Sequence, residues 1–280
     1  MKVRIVVDTS CDLQPGSDSE FAYVPFEIKV GDVSFHDDEK TQMELLLLMK
    51  EESTAAKSSC PSPAAFLNTF TCDAEVIFVV TISSNLSGSY NSAKIAKEIY
   101  LEENPDKDIF VVDSLSASAG ETAIAYYIQD ALEVERFQTM EELFLATKAY
   151  AKTVKTLFVL EDLSNLVKNG RMGKLAGLFA AFLHIKPVLG DDGNGEIVLY
   201  KKSRGTKKAL RDLMTAIEER GKDLNLEDRI LYISHCNAKQ KALQVKALAE
   251  GQFSFAEIKI FETNGLSTVY AGDGGIVLAF

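Results

Sequence analysis

A two-lobed α/β fold follows from three features of the sequence. Short β-branched runs alternate with longer segments of helical periodicity. Several of those runs are apolar at every position, and near residue 155 the rhythm changes. Strands buried on both faces belong to parallel sheets with helices on each side. The chain has 280 residues, 46% hydrophobic and 25% charged, enough for one large domain or two ordinary ones. Its 17 Gly and 6 Pro exclude collagen-like and disordered classes.

Residues 3–7 read as a buried strand and 23–30 as a second, more alternating one. The stretch 41–52 is a helix, with Thr41 as N-cap and Glu44 completing a capping box. Ser62 and Pro63 open a helix over 64–71, since proline suits the first helical turn. A strand at 76–82, a helix at 91–101, a strand at 109–112 and helices at 117–132 and 140–152 follow. The boundary falls at 154, between an N-terminal lobe, 1–154, and a C-terminal α/β lobe, 155–280. In the second lobe 155–160 is a strand, 163–168 a short helix and 174–184 a notably apolar helix. The run Asp191-Asp192-Gly193-Asn194-Gly195 joins 187–189 to 196–201 as a hairpin. Helices at 207–220 and 238–250 and strands at 229–235, 255–263 and 275–278 complete the lobe.

With 30 Lys+Arg against 41 Asp+Glu the net charge is −11, which repels phosphate backbones and makes nucleic acid an unexpected partner. Cys11, Cys60, Cys72 and Cys236 show neither a CxxC nor zinc-ligand spacing, and read as reduced, mostly buried thiols of a cytoplasmic protein. The opening residues lack the pattern of a signal peptide. No apolar run approaches the roughly 18 residues of a membrane span, and transient membrane contact stays open.

Hydroxyls gather where the strands end. Asp8-Thr9-Ser10 closes the first, a run from Thr81 through Ser83, Ser84, Ser87 and Ser89 follows the third, and Asp113-Ser114-Leu115-Ser116-Ala117-Ser118 follows the fourth. Any one of these is an ordinary helix cap. Three on the carboxyl edge of one sheet, where open α/β folds bind ligands, make a donor-rich anion site without a formal positive charge. Lys57-Ser58-Ser59-Cys60-Pro61 adds a second hydroxyl loop. The stretch 175–183, with Ala176, Gly177, Ala180 and Ala181, reads either as a central buried helix or as the lining of an apolar cavity. Arg204 begins a locally basic patch. There is no GxxxxGK[ST], no GxGxxG after the first strand and no GxSxG, and no motif sets His36, His184 or His235 beside a nucleophile.

These strings together resemble the bacterial DegV family, the fatty-acid-binding subunits of fatty acid kinase. The resemblance rests on Val7-Asp8-Thr9-Ser10-Cys11-Asp12-Leu13, Ser58-Ser59-Cys60-Pro61-Ser62, Ser83-Ser84-Asn85-Leu86-Ser87-Gly88-Ser89-Tyr90-Asn91-Ser92-Ala93, Val112-Asp113-Ser114, Asn169-Gly170-Arg171, Ile185-Lys186-Pro187 and Arg204-Gly205, in that order along the whole chain. It implies a non-enzymatic, cofactor-free carrier that buries one long acyl chain between its lobes. A separate dihydroxyacetone-kinase-like subunit then phosphorylates the carboxylate. By position, Ser58 and Ser87 are the implied carboxylate ligands, Ser84 and Gly88 their neighbours, and Arg171 and Arg204 lie at the mouth. Two departures stand out. Tyr270 takes the place of a histidine and Asp273 enters a glycine turn, while the TSQP-type loop has become Ser58-Ser59-Cys60-Pro61. These changes bear on kinase coupling more than on lipid binding. A lipid sensor without a kinase, or a stand-alone hydrolase or phosphotransferase using Ser87 or Asp8, remain the alternatives.

Overall fold

The computed structural model describes residues 2–13, 21–52, 54–178 and 185–280. The first half begins with β1 (Val3–Asp8), β2 (Phe21–Val24), β3 (Glu27–Val30), β4 (Val33–His36), α1 (Gln42–Glu51) and β5 (Lys57–Ser59). It continues through α2 (Pro63–Phe70), β6 (Val76–Thr81), α3 (Ser89–Glu103), β7 (Asp108–Asp113), α4 (Ala119–Glu133) and α5 (Met140–Thr153). The second half opens with β8 (Thr156–Val159), α6 (Ser164–Lys168), a 3-10 turn at Gly173–Leu178, β9 (Lys186–Asp191) and β10 (Ile197–Ser203). Then come α7 (Thr206–Gly221), β11 (Ile230–His235), α8 (Lys239–Glu250), β12 (Glu257–Glu262), α9 (Gly265–Ala271) and β13 (Ile276–Ala279).

The apolar runs pair as a wholly parallel sheet in the order β2-β1-β6-β7. Its β6 is buried at all 6 positions, and alternate side chains serve opposite faces. Val6, Ile77 and Val79 pack with Phe66 and Phe70 of α2 and Ala93 and Ala96 of α3. Ile5, Val7, Phe78 and Val80 turn the other way, onto Ala123, Ile124 and Ile128 of α4. Each large side chain buried in this way contributes about 1.5–3 kcal/mol.

A second sheet runs β10-β9-β8-β13-β11-β12, antiparallel except between β11 and β12. Helices α7 and α8 cover one face, packing Leu213, Ile217 and Val245 with Leu157 of β8. The other face presents Tyr232, Val277 and Ala279 to the cluster that holds α4. So α4 lies between the two sheets, buried at every residue from Ala119 to Ala125, and both sheets share one core with it. A small antiparallel sheet, β4-β3-β5, closes with α1 against α9 through Ile28, Val30, Phe35, Leu45 and Val269.

Thr41 and Glu44 make both halves of the capping box, and Ser62 accepts from the Ala65 N–H with Pro63 in the first turn. One strand expected over 23–30 is two, in different sheets. Pro25 has no N–H for a ladder, and Phe26 turns aside so that its N–H donates to Thr9 Oγ1 at 3.0 Å. The segment between 263 and 276, unassigned from sequence, is the helix α9. Of the apolar helix expected over 174–184, the described part is the 3-10 turn, and residues 179–184 lie outside the described residues. Of the four free thiols, Cys11 and Cys236 are buried but Cys60 is exposed. No described helix is long and apolar enough to cross a membrane.

Candidate functional site

The loops that leave β1, β6 and β7 all turn inward at the carboxyl edge of the parallel sheet. They bring Ser10, Ser87, Gly88, Ser116 and Ser118 to one cavity of about 170 Å³. A single water needs about 10–15 Å³, so this space takes a molecule rather than a solvent site. Most of its wall is apolar. Phe26, Ile82 and Leu86 face Phe158, Leu160, Leu166, Leu266 and Val277, contributed by the second half of the chain. The cavity is therefore walled by both halves of the chain.

Ser58 reaches it from β5, the edge strand of the small sheet, paired opposite Ile28. Its Oγ lies 2.8 Å from the Tyr270 hydroxyl on α9. With the tyrosine donating, the serine proton is left for a ligand. Ser87 Oγ accepts from the Ser89 N–H at 3.2 Å, which likewise leaves its own proton free. Gly88 is the N-cap of α3 and makes no side-chain cap, and a β-carbon there would sit 3.2 Å from Cys60 Sγ. Two hydroxyl donors and the positive end of a 15-residue helix thus meet at one end of an apolar hollow. That combination suits a carboxylate on an apolar chain.

Beneath the hydroxyls lies a layer of buried acids that hold the loops together. Asp8 accepts from the Ser10 and Ile82 N–H groups, each at 3.1 Å, and from Ser89 Oγ at 2.6 Å. Asp12 accepts from Ser118 Oγ and from the Asn264 N–H. Asp37 accepts from the Leu266 N–H at 2.8 Å. Burial outweighs these donors and pushes Asp8 up to about 6 and Asp37 up to about 8. Glu121 is wholly buried beside Asp8, and burial and then the Asp8 charge push it well up.

Asp37 carries a measurable consequence. In the folded chain it keeps its proton to about 8, whereas an unperturbed Asp loses it near 3.8. The folded state then binds more protons between these limits, and stability falls as pH rises through that window. At about 1.36 kcal/mol per pH unit the change is on the order of a few kcal/mol. Asp37→Asn keeps an acceptor for Leu266 and cannot ionise. Urea unfolding between pH 5 and pH 8 should show a declining midpoint for the wild type and a distinctly flatter one for the variant. Equal slopes would show that Asp37 does not titrate across this range.

Of the residues singled out from the sequence, Ser58, Ser87, Gly88, Arg171 and Tyr270 line the cavity. Arg171 donates to the Asn169 carbonyl. Ser84 does not line it. It is exposed, with its N–H on Asp113 Oδ1, because the turn after β6 points Ser87 inward and Ser84 out. Arg204 is also exposed and outside the wall, in the loop before α7. Thr156, Phe158 and Val277 were not legible as site residues, since a strand's inward positions look like core in any sequence. Among the acids, Asp8 is legible as the residue that closes an apolar strand, whereas Asp12 and Asp37 follow mixed stretches that carry no such signal.

The model of a family described as "Uncharacterised protein, DegV family" matches residues 2–280. A DegV domain-containing protein of Streptococcus pneumoniae is 36% identical over 285 residues, covering 100% of this chain and 99% of that protein. A crystal structure of a DegV family protein from Ruminococcus gnavus with vaccenic acid superposes with a TM-score of 0.92 at 40% identity, covering 99% of each chain. The Streptococcus pneumoniae fatty acid kinase B3 protein loaded with linoleic acid superposes with a TM-score of 0.90 at 35% identity, covering 100% of this chain and 99% of that one.

Proposed function

The chain belongs to the DegV family, and on that premise we propose that it carries one long-chain fatty acid and presents its carboxylate to a separate kinase subunit. The acyl chain lies between the lobes 1–154 and 155–280, against Phe158, Leu160 and Val277. The carboxylate lies at Ser58 and Ser87, beside Tyr270 and Arg171. One observation carries the reading: the Ser58 and Ser87 hydroxyls and a helix start line a mostly apolar cavity. Two relatives of the same fold have been crystallised with vaccenic acid and linoleic acid, which supports the choice of ligand. The proposed role needs no cofactor or metal, and among the described residues no His/Cys/Asp/Glu group is placed to hold a metal ion.

A chain of about 16 carbons offers on the order of 10 kcal/mol of transfer free energy, at ~0.8 per CH₂ before ordering costs, enough for the lipid to survive purification. Native mass spectrometry should therefore show the protein with one added fatty acid, identified after solvent extraction. A mass equal to the bare polypeptide, unchanged by incubation with oleate or palmitate, overturns the proposal.

A further inference from the structure

A second hollow, a groove of about 540 Å³, lies between α1, α6 and the C-terminal end of α9. Tyr270 lines both it and the lipid cavity. The tyrosine hydroxyl is 2.8 Å from Ser58 Oγ, so this side chain touches both the groove and the Ser58 end of the cavity. On the groove's wall α1 carries Met43 and Leu47, one turn apart on one face and 48% and 54% exposed. That exposure is not forced by the fold, because α1 already seals the small sheet through Leu45 on its opposite side.

The charges of the groove discriminate among occupants. Lys50 and Lys168 line it together with Glu52, Asp162 and Asp273. Neither lysine has an ion pair among the described residues, while Asp273 accepts from Asn237 Nδ2 at 2.9 Å. A free phosphate or an anionic bilayer is repelled by three carboxylates beside two ammonium groups. An apolar pair rimmed by charges of both signs has instead the make-up of a protein-binding patch. Phosphorylation of the carboxylate requires the donor's protein to come within bonding distance of the Ser58 end, and the groove abuts that end through Tyr270.

Building on the proposed carrier role, we infer that this groove is the docking surface for the kinase subunit, with Met43 and Leu47 as its apolar anchors. The partner's contact is a protein segment carrying an apolar side chain flanked by both an acidic and a basic residue. Tyr270 is the element through which that contact meets the lipid cavity.

The test compares acyl-phosphate formation by the Streptococcus pneumoniae fatty acid kinase catalytic subunit, with carriers loaded to the same level with oleate. The Met43→Glu/Leu47→Glu variant should raise the KM for the carrier at least tenfold, leaving kcat and bound oleate unchanged. The control is Ile95→Glu/Ile99→Glu on α3, where the native pair is 39% and 47% exposed but lines neither hollow. Its kinetics should match the wild type. Unaltered kinetics in the α1 variant, or equal impairment of both variants, overturns the docking inference and leaves the carrier reading standing. Loss of self-association in the α1 variant without a kinetic change assigns the groove to a second copy of this chain instead. Failure of the oleate-loaded wild type to be phosphorylated at all overturns the kinase reading, and the docking inference with it.

Discussion

Removing both Ser58 and Ser87 hydroxyls should cost at least roughly 100-fold in fatty-acid affinity. A hydrogen bond to a charged group is worth about 1.5–3 kcal/mol, and both serine hydroxyls line the cavity. Two such losses amount to about 3–6 kcal/mol, or two to four decades in Kd. The single variants Ser58→Ala and Ser87→Ala should each lose about tenfold or more. Ser84→Ala removes a hydroxyl three residues from Ser87 on an exposed position outside the cavity, and should bind as the wild type does. Competition with a fluorescent fatty acid measures all four. If Ser84→Ala weakens binding as much as Ser87→Ala, the carboxylate does not sit where the cavity wall puts it.

Gly120→Ala should destabilise the protein although it places the better helix former in a helix. By propensity alone the change gains up to about 1 kcal/mol. The position of the missing β-carbon, however, is 1.9 Å from Ser116 Oγ and 2.7 Å from Thr156 Oγ1. Those two hydroxyls are bonded to each other at 2.6 Å and join the loop after β7 to the first strand of the second sheet. Overpacking of this kind costs about 1–3 kcal/mol, and both neighbours are buried, so the clash wins. A net loss of about 1–2 kcal/mol lowers Tm by roughly 2–4 °C. Ser116→Gly in the same chain removes both the hydroxyl and the β-carbon that the methyl meets. It should restore more of the loss than Ser116→Ala, which removes the Oγ at 1.9 Å but keeps the β-carbon at 2.7 Å. An unchanged or raised Tm in Gly120→Ala would mean that the loop yields freely. The loop already holds Leu115 and Ser118 at φ of 53° and 54°, a conformation few non-glycine residues adopt, so it has little left to yield.

Much of this molecule is local, and the local part was legible. The strands at β1, β6 and β7 are runs of apolar side chains long enough to be buried whichever way they face. The helix starts at Thr41 and Ser62 rest on side chains one turn from the groups they cap. The family motifs are local strings as well, which is why the residues around Ser58 and Ser87 could be singled out before any fold was known. Two errors share one cause. Joining 23–30 into one strand ignored the partner each half would find, and missing α9 left unplaced the helix that carries Tyr270.

By itself the sequence determined the α/β class, the family, the hydroxyl-rich strand ends and the expectation of an anion-friendly edge. Tertiary structure alone decided which hydroxyls share a cavity. Ser84 and Ser87 are equivalent in composition and context, and only the turn between them sends one to solvent and the other inward. The second half's apolar wall, the placement of α4 between two sheets and the meeting of Tyr270 with Ser58, 212 positions away, all join residues distant in the chain. The physical reason is range. Capping, periodicity and turn chemistry act within a few residues, whereas a cavity is the space left when distant elements pack, and its walls are core residues until that packing is seen.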